Sequence, residues 1–308
     1  MVVRKDGVWQ ELKRNKLLFL MLFPGVLYFF IFQYVPMSGI VLAFKNYTYS
    51  GGIFGSEWNG WANFDFFFRS GKAWIITRNT ILYNVAFMVT GLVLQLATAI
   101  FIAEIGTRFV KKYIQSSLLF PFFISWVVVG AFIYNLFSFE LGTINYYMRA
   151  WGFEPIDFYG NTEVWSYILV FFNNWKYVGY NSLIYLAAIM GIDKSLYEAA
   201  DIDGASIWQR ARLITLPLLT PTIMILMLLA VGHLFRGNFE LFYNVIGTNG
   251  LLYDQTDVID TYVFRSLIQS PDIGMSSAAG LYQAVLCLVV ILITNYVIRK
   301  YNPDYALF

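Results

Sequence analysis

The sequence predicts an all-α integral membrane protein of about six transmembrane helices, with both termini cytoplasmic and a structured loop between the fourth and fifth helices. Three observations lead there. Apolar runs of about 20 residues recur along the chain, each long enough to cross a hydrocarbon core of ~30 Å. Only 13% of the 308 residues are charged and 58% are hydrophobic, with a mean hydropathy of +0.59, whereas a soluble domain carries about a quarter charged residues. Lysine and arginine also gather in alternate segments between the runs, which is how membrane proteins are oriented. The net charge of +2 says little by itself. Because the basic residues form no stripe, no nucleic-acid partner is expected.

Taken in order, the chain opens with Arg4, Lys5, Lys13, Arg14 and Lys16 ahead of an apolar run at residues 17–34. The run is too long for a signal peptide and no small-x-small cleavage site follows, so it reads as a retained first span. Pro36 and Gly39 then bend or end it. Residues 45–77 are polar, aromatic and Gly-rich, a loop whose Trp58, Trp61 and Trp74 suit a membrane interface. Five further spans are expected at 81–103, 114–136, 164–189, 218–235 and 278–298. With the N-terminus cytoplasmic, the same side receives Arg108, Lys111, Lys112, then Lys194, Arg210, Arg212, then Arg299 and Lys300. The long segment at about 237–277 falls on the other side, and its aliphatic and aromatic stretch at 258–267 indicates order.

Residues 193–217 form a short charge-bearing loop between two strongly apolar runs. Ser195 precedes Glu198 by three residues and Ser206 precedes Gln209 by three, each in the form of a capping box. Gly204 lies between, where one helix must end without Cβ strain. The second piece places Ile207, Trp208 and Ala211 on one face and its polar residues elsewhere. A helix, a turn and a helix lying against the membrane are expected.

These residues carry a resemblance. Glu198-Ala199-Ala200, Gly204 and Ile214-x-Leu216-Pro217 stand in the spacing of the cytoplasmic coupling loop of permease subunits from binding-protein-dependent ATP-binding-cassette importers. The resemblance implies that Glu198, Ala199, Ala200, Asp201, Gly204 and Pro217 couple to an ATP-hydrolysing subunit. It also implies two copies of that subunit, a second homologous permease and an extracellular or periplasmic sugar-binding protein. Oligosaccharide would be the cargo, and a bacterial cytoplasmic membrane the location. ATP and Mg would be bound by the partner subunits, with no cofactor in this chain. Residues 1–16 would be a cytoplasmic segment, 17–299 a single permease domain and 300–308 a cytoplasmic tail.

Polar residues inside spans are costly and usually face a cavity or a partner helix. Two clusters qualify: Asn173, Asn174, Trp175, Lys176, Tyr177, Tyr180 and Asn181 in the fourth run, and His233, Arg236, Asn238, Phe239 and Glu240 at the outer end of the fifth. Aromatic rings and amides are the groups that hold sugars. Asn173-x-Trp175 and Tyr180 resemble the sugar-contacting helix of the maltose permease, and Asn238-Phe239 resembles its Asn-Phe pair, while Lys176 and Tyr177 depart from it. The resemblance thus implies Asn173, Trp175, Lys176, Tyr177, Tyr180, Arg236, Asn238 and Phe239 as substrate residues and a different sugar. Phe23-Pro24-Gly25, Tyr34-Val35-Pro36-Met37 and Asp257-Val258-Ile259-Asp260-Thr261-Tyr262 are similar to the LplB-type polysaccharide permeases, which implies large oligosaccharides.

Other classes find less support. No G-x-x-x-x-G-K-[ST] phosphate loop occurs, so ATP chemistry is not expected in this chain. Cys287 and His233 are each the only residue of their type and lie on different segments, so no metal site is expected. An ion-coupled secondary transporter of sugars, the alternative, would need an intramembrane relay. Only Glu104 and Glu240 lie near the spans, both at their ends. A membrane enzyme would need a constellation that Asp254, Asp257, Asp260 and Asp272 do not supply, and these four read as solvated loop charges.

Overall fold

The computed structural model describes residues 14–301. Of the expected 1–16 segment only the last three residues are included, and Arg4, Lys5 and Lys13 lie outside the described residues, as does the tail beyond Tyr301. The described chain is mostly helical. Its one sheet is a two-stranded pair, β1 (Lys45–Asn46) against β2 (Glu57–Trp58), antiparallel.

Helix α1 (Lys16–Phe44) is continuous. Pro36 does not end it; instead the pitch widens to a π turn over Phe30–Tyr34 and tightens to 3-10 geometry over Val35–Phe44. Pro36 lacks an N–H and its ring crowds the carbonyl four residues back, and changing pitch relieves both defects without a break. No residue of Lys16–Tyr34 is buried within the chain. The expected loop at 45–77 holds the strand pair and α2 (Ala62–Arg69), with Phe44 stacked on Trp58 at 5.7 Å. Trp58, Trp61 and Trp74 are all exposed.

Helix α3 (Lys72–Glu104) is the longest, with 33 residues, and begins earlier than its apolar run. Gly71 precedes it at φ 72°, a left-handed turn open to glycine. The run at 114–136 forms no straight span: α4 (Arg108–Phe123) and α5 (Trp126–Phe137) meet at a 92° bend. Ser125 caps α5 by accepting from the Val128 N–H. A short α6 (Thr143–Ala150) leads to α7 (Val164–Met190), 27 residues and so ~40 Å long. Helix α8 (Lys194–Ile202) then precedes α9 (Ile207–Gly232). The 237–277 segment is ordered, as expected, into α10 (Phe239–Ile246), two short turns and α11 (Ile259–Ile268). Helix α12 (Ile273–Tyr301) closes the described chain.

Among the described residues, α1, α3, α9 and α12 are each long and apolar enough to cross a membrane, and the bent α4–α5 pair makes up to five. Helix α7 has the length but carries Asn173, Asn174, Lys176 and Asn181 at its middle, and it is largely buried inside the chain. Its most extensive packing is against α3. The polar residues that lower its hydropathy are also those it turns toward its neighbours.

The 237–277 segment caps one end of this bundle. The Asn79 amide donates to the carbonyls of Asp254 and Asp257, both at 3.1 Å, and the Ile259 N–H donates to Thr80 Oγ1 at 3.0 Å. Asp257 is buried and paired with Arg265, whose guanidinium lies 3.6 Å from the Tyr253 ring centre. Asp260 accepts from the Gly237 N–H at 2.6 Å and from Gln283 at 2.8 Å. Burial pushes its carboxyl up from the ordinary value, against the pull of those donors. Asp257 and Asp260 are therefore internal anchors of the cap and not solvated charges.

Helices α4 and α7 approach closely at Gly179, where an added methyl would overlap the Leu118 carbonyl oxygen. Small residues permit such contacts between membrane helices. Gly179→Ala is expected to destabilise the chain by about 1–3 kcal/mol through overpacking. Thermal unfolding in detergent checks this, with Gly25→Ala, where nothing lies within 4 Å, expected to melt like the parent.

Candidate functional site

Two regions carry functional chemistry. The first is a cleft of about 360 Å³ between α3, α7 and α9. Helix α3 supplies Asn84, Phe87 and Gln95, α7 supplies Asn173, Asn174, Tyr177 and Asn181, and α9 with the residue after it supplies Met227 and His233. These polar groups are held from behind. Asn84 donates to the carbonyls of Leu234 and Arg236 at 2.9 and 3.0 Å, satisfying acceptors where α9 has ended. Asn174 donates to Thr90 Oγ1 at 2.8 Å and to the Val170 carbonyl at 3.0 Å. Asn238, the N-cap of α10, donates to Asn173 Oδ1 at 3.4 Å. Among the described residues Gln95 and Asn181 have no side-chain hydrogen bond, so their amides are available to a ligand. Among the described residues no lysine, arginine, aspartate or glutamate lines this cleft. Its chemistry is that of amides, phenols, aromatic faces and one imidazole, suited to hydroxyl groups and sugar rings.

The eight substrate residues expected from the sequence separate in space. Asn173 and Tyr177 line the cleft, and Asn238 meets Asn173. Tyr180 stacks on Phe122 of α4, with centroids 4.1 Å apart. Trp175 packs against Phe172, and Phe239 against Tyr243 and Phe264. Arg236 borders a different groove, of about 260 Å³ between α9 and α12. Lys176 is buried, and its ammonium donates to the carbonyls of Pro121 at 3.3 Å, Phe122 at 3.0 Å and Ile124. It sits 5.3 Å from the Trp126 ring centre. The Pro121 carbonyl also accepts from the Ile124 N–H at 3.2 Å, so the charge chiefly satisfies the Phe122 and Ile124 carbonyls left open where α4 stops, with the favourable sign for a helix C-terminus. Asn84 and Gln95 are cleft residues that the sequence reading did not single out. Each is a polar residue inside an apolar run, the same signal that marked the fourth run.

The second region is the loop at 193–217. Helix α8 begins two residues before the expected start, and its N-cap is Asp193, not Ser195. The Asp193 carboxylate accepts from the Ser195 N–H at 3.0 Å. A carboxylate also suits the positive end of a helix, and that N–H pulls the carboxyl below its usual range. The second capping box forms as expected: Ser206 accepts from the Gln209 N–H, while Gln209 Oε1 accepts from the Ser206 N–H at 2.7 Å. Gly204 has φ 71°, a conformation costly to any residue with a Cβ.

The second helix does not stop before the membrane run. It continues as α9 through a π turn at Ala211–Thr215, which absorbs Pro217 in the following turn. Glu198, Ala199 and Asp201 are exposed and Ala200 is half-buried. Ile202 is 87% and Trp208 74% exposed, so an otherwise polar loop displays apolar groups of the kind that mark a protein contact.

A multi-pass helical bundle with a polar, charge-free cleft at its centre and an exposed helix–turn–helix at one end defines a membrane-transport component. Residues 95–303 match the family described as the binding-protein-dependent transport system inner membrane component, and the chain belongs to that family. Among similar proteins are the protein LplB of Bacillus subtilis (strain 168), 33% identical with 95% of this chain and 92% of that protein covered. Another, from the same organism, is the polygalacturonan/rhamnogalacturonan transport system permease protein YteP, 31% identical with 96% and 91% covered. The chain is also similar to a solved bacterial ABC transporter involved in the import of the acidic polysaccharide alginate. There the TM-score is 0.86 at 32% identity, covering 96% of this chain and 100% of that one. A second solved structure, of a bacterial alginate ABC transporter in complex with an alginate pentasaccharide-bound periplasmic protein, gives a TM-score of 0.84 at 32% identity, covering 96% and 98%. The secondary-transporter alternative is not favoured. Its weak support weakens further because Glu104 pairs with Arg210 at 2.7 Å.

Lys176→Met would leave the carbonyls of Phe122 and Ile124 without a donor, at about 1–3 kcal/mol for each buried unsatisfied group, while the Pro121 carbonyl would keep the Ile124 N–H at 3.2 Å. The expected outcome is a lower melting temperature in detergent, with uptake lost in proportion to folded protein. Uptake lost at unchanged stability would instead return Lys176 to the substrate path.

Proposed function

We propose that this chain is one permease subunit of an ATP-binding-cassette importer that takes up oligosaccharides or polysaccharide fragments by alternating access. In this reading six helices cross the bacterial cytoplasmic membrane, with α7 and the bent α4–α5 pair counted as spans and both termini cytoplasmic. A second homologous permease completes the path, and two ATPase subunits bind ATP and Mg and hydrolyse the nucleotide. A solute-binding protein delivers the saccharide to the face carrying α10 and α11. The cleft between α3, α7 and α9 carries the proposal: its unpaired amides at Gln95 and Asn181, beside Phe87 and Tyr177, suit a polyhydroxylated ring. The names of the similar proteins, which include transporters of polygalacturonan/rhamnogalacturonan and of alginate, favour a polymeric sugar.

At the opposite end, Glu198, Ala199, Ala200, Asp201 and Gly204 would seat in the ATPase subunit, with Ile202 and Trp208 covered on docking. Pro217 belongs to the turn where that loop passes into α9. Binding energy that differs between the inward-open and outward-open states would couple hydrolysis to transport.

Reconstituted complex in proteoliposomes tests both ends. Asn181→Ala and Gln95→Ala are each expected to lower saccharide uptake by roughly tenfold, about 1.4 kcal/mol, without lowering the yield of assembled complex. Unchanged uptake in both variants would remove the cleft from the substrate path. Glu198→Ala is expected to lower ATP hydrolysis and uptake together, and co-purification of the ATPase subunit reads whether docking is what fails.

A further inference from the structure

Arg210 stands where three elements meet. It is the last residue before the π turn of α9, and its guanidinium reaches in two directions. One nitrogen donates to Glu104 Oε2 at 2.7 Å and the other to Asp201 Oδ1. Asp201 lies in α8, among the residues read above as the coupling motif. Glu104 is the final residue of α3. The Arg210 side chain is only 15% exposed and that of Glu104 26%, so the pair with Glu104 is sheltered from the water and salt that weaken surface pairs, whereas Asp201 is exposed.

A carboxylate at a helix C-terminus faces the negative end of that helix and is disfavoured there alone. Glu104 is stable in that position because Arg210 is beside it. Among the described residues this is the one ion pair joining the 193–217 loop to another helix. Within the loop, Tyr197 and Thr215 are tied at 2.9 Å, so α8 and the start of α9 are bound as a unit.

Helix α3 is unbroken and contains no proline. At 1.5 Å per residue, Gln95 lies ~14 Å and Asn84 ~30 Å along it from Glu104. The end of α3 that Arg210 grips and the part that lines the cleft belong to one stiff rod packed along α7.

We infer that Arg210, through Glu104 and Asp201, is the positioning residue that converts movement of the coupling loop into displacement of the α3 wall of the cleft. The inference rests on the reading of 193–217 as the ATPase-contacting loop, and it adds a second route to the one through α9 itself. Motion carried by α9 alone would shift only that wall. With the Arg210 pairs intact, two walls of the cleft follow the loop.

The test is uptake and ATP hydrolysis measured in the same proteoliposomes, expressed as saccharide moved per ATP. Glu104→Gln keeps size and hydrogen bonding and removes the charge. It is expected to lower that ratio by roughly fivefold or more, the scale of a coupling between sites. In an Asp201→Asn background, Glu104→Lys is expected to lower the ratio and the exchange Glu104→Lys with Arg210→Glu to recover most of it. An unchanged ratio in Glu104→Gln, or no recovery by the exchange in complexes of normal yield, overturns the inference. Glu198→Ala run alongside separates the two readings. If Glu198→Ala leaves hydrolysis untouched, the docking assignment fails; if it acts while the Glu104 ratio stays constant, only the Arg210 link fails.

Discussion

The structure depends on one buried ammonium. A lysine in the middle of a membrane helix is costly unless acceptors surround it, and a helix that stops inside a bundle leaves carbonyls without donors. Lys176 and the end of α4 remove each other's penalty. Its position on α7 determines where α4 can end, and the 92° bend there sends α5 across the bundle to pack on α10. At that crossing Gly130 lies against the Asn244 carbonyl, a proximity that a side chain would prevent. The buried cluster of Trp126, Ile133, Trp165, Leu241 and Phe242 forms where these helices converge. Without the bend, α10 would have no partner on that side.

The two ends of the bundle use charge differently, and the lining of the cleft between them, from which Lys176 is turned away, lacks it. At the capped end Asp257 and Asp260 are enclosed and hold turns together through Arg265, Gly237 and Gln283. At the α8 end Arg210 joins helices to one another. Between them the cleft contains no fixed charge. A permanent charge in a low-dielectric cleft would hold a counter-charge tightly in every state, whereas amide contacts are individually weak and exchange readily with water. That suits a site that must release what it binds.

Much of this organisation was legible in the sequence because its causes are local. The turn at Gly204 and the Ser206–Gln209 box each require only a few adjacent residues, and both formed. The Ser195 cap did not, because Asp193, two residues earlier, offers a stronger acceptor and α8 starts around it. Lys176 shows the limit of local reading. Its polarity correctly marked it as a residue that must face something, but the partner is a helix end about 50 residues earlier in the chain, and nothing near Lys176 announces it. Likewise the bend after Phe123 cannot be read from an apolar run that continues through it. Asn84 and Gln95 were missed for a different reason: each is isolated among apolar neighbours, and only the fold gathers them with Asn173 and Asn181.

Helix α1 has a consequence of another kind. Among the described residues nothing covers Lys16 to Tyr34, and the helix is held to the fold only by its other end, Val35–Phe44, which packs on α12 with Ala43 buried. That anchored end sets its direction, and the faces of Lys16–Tyr34 are left to the material surrounding the chain. Selection on its individual side chains must then come from that surrounding material, and a change there that preserves hydropathy is invisible to the rest of the molecule. The chain carries, in effect, half a helix whose sequence is written for its environment and not for itself.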